Sequence, residues 1–113
     1  MSQPTPHYTE DDLERVIARD FPAKSVVEVK TLLASYGAES WQREILRVQM
    51  ACLKCANGDV IGLRRAVSRA CSDYRDVLAE AEYPEYMHAH GPEAQKKAIE
   101  SDWRQLQAWL NRS

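Results

Sequence analysis

Two long stretches of helical apolar periodicity meet at Gly58-Asp59, with room between them for nothing but a turn. The first, from about Glu39 to Asn57, carries Trp41, Ile45, Val48, Cys52 and Cys55 at steps of four, three, four and three. That spacing is a heptad seam. Leu46, Met50 and Leu53 form a second apolar flank, so this helix is expected to be buried on two sides. The second stretch, from about Val60 to Glu82, carries Val60, Leu63, Val67, Ala70, Tyr74, Val77 and Ala81, with Cys71 and Leu78 beside them. Gly58 stops the first helix and Asp59 is placed to cap the second. A connection this short folds the two helices back on each other, and Pro84 ends the second. The chain is thereby committed to a long antiparallel helix hairpin.

The flanking segments carry shorter helical signals. Thr9 with Asp12 opens a helix that runs through Leu13, Val16, Ile17 and Phe21. Pro22 disfavours helical geometry at Phe21, so this helix should end near Arg19 or Asp20. Ser25 and Glu28 make a Ser-x-x-Glu capping box for a helix whose stripe is Val26, Val29, Leu33 and Tyr36, and Gly37 terminates it. Residues 83–92 read as an aromatic-rich loop. A last helix starts near Pro92 or Glu93, with Ala98 or Ile99, Trp103, Leu106 and Leu110 on its apolar stripe. No strand candidate survives. The expected fold is all-α: a helical bundle of about five helices built on the hairpin. Residues 1–8, with two prolines, read as a flexible leader, and residues 9–113 as a single helical domain.

Charge is segregated although the net value is only -2. From Arg43 to Arg75 seven cations stand against three anions, a net of +4. From Asp76 to Asp102 seven anions stand against two cations, a net of -5. The overall balance argues against a dedicated nucleic-acid binder. No apolar run approaches the roughly 18 residues that span a bilayer, so no membrane partner is expected. The first twelve residues lack the basic and apolar regions of a signal peptide. Three cysteines, an odd number, then point to reduced thiols and a cytoplasmic setting.

The segments SYGAESWQREILRV, ANGD, LRRAV and DYRDVLAEAEYP, between Ser35 and Pro84, resemble short bacterial all-helical proteins with no assigned function. The resemblance covers about half the chain. It implies a bacterial cytoplasmic setting and an all-helical fold, and no catalytic or binding residue.

Candidate chemistry is sparse. Cys52 and Cys55 form a CxxC, and His88 and His90 could complete four zinc ligands. Both cysteines fall mid-helix on the seam, however, where a free cysteine packs as a small hydrophobe. No cofactor is expected. No Gly-rich phosphate loop, paired Glu-x-x-His or nucleophile elbow is present, so the chain reads as a binding protein rather than an enzyme. The strongest polar feature is the cationic set Arg43, Arg47, Lys54, Arg64, Arg65 and Arg69, which the hairpin draws together. It would suit an acidic protein surface or, less well, nucleic acid. Local pairs at i,i+4, Glu39 with Arg43 and Arg69 with Asp73, are the competing outcome. Tyr83 and Tyr86 are candidate docking aromatics. A domain this small leaves much apolar surface uncovered. A homo-oligomer is therefore expected, most simply a two-fold dimer setting the cationic stretch of one copy against the acidic stretch of the other. The functional expectation is a helical interaction or regulatory protein, with a small nucleic-acid-binding regulator and a metal protein as alternatives.

Overall fold

Asn57 and Gly58 both adopt left-handed backbone geometry, with φ of 52° and 77°, and turn the chain between its two central helices. Asp59 then accepts hydrogen bonds from the Ile61 and Gly62 N–H groups, satisfying donors that a helix start leaves orphaned. The computed structural model describes residues 4–112. It contains α1 (Glu10–Asp20), α2 (Val26–Ala34), α3 (Ile45–Ala56), α4 (Val60–Glu82) and α5 (Pro92–Leu110). Single 3-10 turns lie at Ala23–Ser25 and Tyr86–His88. Among the described residues there is no strand, and no helix is long and apolar enough to cross a membrane. The all-α bundle built on a helix hairpin is the observed fold.

The core is the α3–α4 interface. Every residue from Val48 to Leu53 is buried, so the middle of α3 is covered on both apolar flanks read from the sequence. Leu63, Val67, Ala70, Val77 and Ala81 of α4 face it. α1 adds Val16 and Ile17, with Phe21 just beyond its end, and α2 adds Val29 and Leu33, with Tyr36 just beyond. The Thr9–Asp12 capping box forms as expected, each side chain accepting from the other's backbone N–H.

α5 stands apart. Ala98, Ile99 and Leu106 are buried outside the central cluster, and Trp109 and Leu110 supply its contact with that cluster. Its C-terminus is pinned by Arg19, whose Nη1 donates to the carbonyls of Trp109 (2.8 Å), Leu110 (3.2 Å) and Arg112 (3.1 Å). A cation there meets the negative end of the helix dipole and its unpaired carbonyls. Arg19 also grips Asp20 and lies 5.0 Å from the Trp109 ring centroid.

Two expectations are corrected. α3 begins at Ile45 rather than near Glu39, because residues 37–44 are held in a non-helical loop. The Ser25 capping box does not form: Ser25 closes a 3-10 turn with φ -99° and ψ -7°, whereas a capping residue needs extended backbone. α4 keeps the bounds read from the sequence, and within it Asp73 takes φ -153° and ψ 97° and breaks the helix. In the described part of the leader, Pro6 is buried and Tyr8 packs against the core, while residues 1–3 lie outside the described residues.

Candidate interaction surface

Half of the cationic set is paired with carboxylates inside the chain. Arg47 on α3 grips the buried Glu82 at the end of α4, with Nη2 to Oε1 at 2.6 Å and Nε to Oε2 at 2.9 Å. Its Nη1 bonds Glu44 at 2.8 Å. The Glu82 hydrogen bonds, helped by Glu44 and opposed by burial, raise the Arg47 pKa further above its ordinary value. Arg64 pairs with Glu28 across to α2 at 3.1 Å. Arg69 pairs with Asp76 (3.0 Å) and Glu80 (3.3 Å). The expected Arg69–Asp73 pair is replaced, because the break turns Asp73 onto the Arg75 N–H and guanidinium. Arg43 bonds the Ser40 carbonyl rather than Glu39. Among the described residues, Arg43, Lys54 and Arg65 alone of the six have no carboxylate partner. Arg43 and Arg65 are exposed, and Lys54 is half-buried.

What faces solvent instead is a braced loop. Buried Gln42 accepts from the Gly37 and Glu39 N–H groups through Oε1, and its Nε2 reaches the Cys71 sulfur at 3.7 Å. Tyr36, fully buried, donates its hydroxyl to the Arg43 carbonyl at 2.7 Å. Gln49 Nε2 donates to the carbonyls of Leu33 and Tyr36, closing the end of α2. Gly37 has φ +118°, and a Cβ there would sit 3.1 Å from Ile45 Cγ2, so the turn requires glycine. Glu44 is held left-handed at φ 54°. A non-glycine residue there costs on the order of 1–3 kcal/mol. With Gln42, Tyr36 and Gly37 turned inward, Trp41 is left 51% exposed and Ile45 43% exposed, with exposed Arg43 between them. The heptad seam thus fails at its first two positions.

Tyr83 and Tyr86 meet edge to face, with centroids 6.4 Å apart. Their turn is capped by buried Asp102, whose Oδ1 and Oδ2 accept from the Glu85 and Tyr86 N–H groups at 3.1 and 3.0 Å. Glu85 is in turn bonded by Ser101 and Gln105 of α5. Asp102 carries a sequence signal that apolar periodicity passes over: it is an acid on an apolar stripe, three residues after Ile99 and four before Leu106. Burial, with nearby Glu82, raises the Tyr8 and Tyr83 hydroxyl pKa values above the ordinary tyrosine value.

The candidate metal ligands are not brought together. Among the described residues, no group of three or more His, Cys, Asp or Glu side chains gathers to hold a metal ion. Cys52 is buried and Cys55 half-buried in α3, whereas His88 and His90 are exposed beyond α4. Burial pushes the Cys52 thiol up to about 12. It raises Cys55 as well, with Glu80 adding to the effect. Thiols so placed are poor nucleophiles at neutral pH. Compared with protein-family models, curated proteins and solved structures, the chain matches none.

Proposed function

We propose that this chain is a helical interaction protein that acts by binding, and that its contact surface is centred on Trp41, Arg43 and Ile45. The observation that carries this reading is the exposed Trp41 on a loop whose neighbours are all tied down. A flexible loop could fold its tryptophan inward and bury its large apolar area. Here the hydrogen bonds of Gln42 and Tyr36 hold the backbone on both sides of Trp41, and Glu44 is left-handed. Tryptophan and arginine are the residues that dominate contact energies between proteins. The occupant proposed is a second copy of the chain. Its accessible surface, 6899 Å², exceeds the roughly 6300 Å² expected of a compact monomer of this mass.

The charge pattern supports this reading differently from the way it stood in the sequence. Arg47, Arg64 and Arg69 are paired within the chain, which favours an apolar contact over a charge match between copies or a phosphate backbone. Of the cations without a carboxylate partner, Arg43 lies between Trp41 and Ile45, while Lys54 and Arg65 lie towards the hairpin turn. The three free thiols and the resemblance of Ser35–Pro84 favour a reducing bacterial cytoplasm as its setting.

Size-exclusion chromatography with light scattering tests the reading. The wild-type chain is expected to be a dimer at both low and high salt, since the contact is apolar, and Trp41→Ala to be a folded monomer. A wild-type monomer up to high concentration removes the second copy as occupant.

A further inference from the structure

The N-terminal segment sets prolines against aromatic side chains. Each proline ring holds φ near -65° and pushes the residue before it towards extended geometry. Pro4-Thr5-Pro6 is therefore a preformed extended segment. It lies over a groove between the end of α4 and α5 whose apolar walls are Tyr83, Ile99, Trp103 and Leu106. Pro6 is buried although Thr5 and His7 on either side are exposed. The space left between segment and groove is about 10 Å³, room for roughly one water. Proline rings laid on an aromatic-lined groove are the arrangement by which proline-rich peptides are bound elsewhere.

The charged groups in the same walls are already satisfied. Glu82 is held by Arg47, and Asp102 by two backbone N–H groups. An occupant therefore has to supply apolar rings and not charge. The resident contact is slight, since Pro4 and Thr5 stay exposed. A tethered segment nevertheless competes at an effective concentration on the order of millimolar, so weak intrinsic affinity keeps it seated. A free segment with more prolines in the same register can displace it.

We propose that the groove of Tyr83, Ile99, Trp103 and Leu106 binds a proline-rich segment of a partner protein, and that Pro4–Pro6 is the resident occupant the partner displaces. Trp41 is not among the groove's walls, although Pro6 on its other side borders a cleft lined by Arg43 and Ile45.

The test uses the full chain and a peptide carrying fluorescein on its N-terminal glycine, fluoresceinyl-Gly-Pro-Pro-Thr-Pro-Pro-amide, followed by anisotropy. A control peptide carries alanine at its second and third prolines. The Pro4→Ala/Pro6→Ala chain is expected to bind the proline peptide at least ~10-fold more tightly than wild type, because the cis competitor is gone. The alanine peptide should bind neither. Trp103→Leu in the double variant should abolish binding, and Trp41→Ala should leave it unchanged. A measurement on the wild type needs no variant: excess proline peptide should move the NMR signals of the buried Pro6 ring to solvent-exposed positions. Equal affinity of the wild type and the double variant, or binding no better than that of the alanine peptide, overturns the proposal. So does a wild-type dimer that the Pro4→Ala/Pro6→Ala change dissolves, since the groove's occupant would then be the leader of a second copy.

Discussion

Arg19 does at one position what usually takes several residues. Its side chain and that of Asp20 are only 8% and 7% exposed. The guanidinium satisfies three carbonyls at the end of α5, the Asp20 carboxylate and the Trp109 ring face together. Truncating it leaves a buried carboxylate and orphaned carbonyls, so Arg19→Ala is expected to cost about 3–5 kcal/mol in urea unfolding. Arg19→Lys should recover little, because a point charge cannot reproduce the planar fork. If Arg19→Lys proves as stable as wild type, the carbonyl cap is not the source of the effect. Nothing in the sequence near Arg19 marks this role. Its carbonyl partners lie 90 residues and more away, and the local pattern shows only a basic residue in the last turn of a helix beside Asp20.

At the scale of elements, the break in α4 is the departure that matters most. Asp73 Oδ1 accepts from the Arg75 N–H at 3.1 Å, so Asp73 acts as the N-cap of a second helical segment. Aspartate competes with the helix for backbone donors wherever it stands, and here the competition is won. One guanidinium, Arg69, then reaches both Asp76 and Glu80, which are seven and eleven residues on. In a straight helix these would lie about 10 and 16 Å away along the axis. Asp73→Ala is expected to lose about 1 kcal/mol, read as a lower urea midpoint at unchanged slope. A stabilised variant would show that the break is imposed by packing on α3 and not by the cap. The start of α3 departs from its apolar period for a related reason. Trp41 and Ile45 keep the period, but Gln42 and Tyr36 hold the loop by hydrogen bonds whose partners periodicity does not count. The hairpin turn, the Thr9 cap and the Pro92 start are readable because each is a contact within four residues of chain.

For the whole molecule, charge segregation becomes internal stitching, and stability should follow pH accordingly. Burial alone would raise the Asp20 pKa, but the hydrogen bonds and charge of Arg19, with Arg112, hold it below its ordinary value. Glu80 is lowered too, first by its hydrogen bond from Cys55 and then by Arg69, with burial opposing. Both carboxylates are more acidic folded than unfolded. Their contribution is therefore complete above the ordinary carboxylate range of about 4 and is lost as pH falls through the folded values. Thermal melts should show a plateau from pH 7 to about pH 5 and a decline below about pH 4. In Asp20→Asn that decline should be shallower. A decline of unchanged steepness would move its cause to other carboxylates.

Helix positions, the α3–α4 hairpin and the buried face of each helix follow from the order of residues, because caps, turns and apolar periods act over a few positions. Which charges stay free does not. Arg47 finds Glu82, Arg64 finds Glu28 and Arg19 finds α5 across 35, 36 and 90 residues. Those pairings depend on how the helices pack, and the packing leaves Trp41 exposed beside Arg43 although the apolar period placed it on the buried seam.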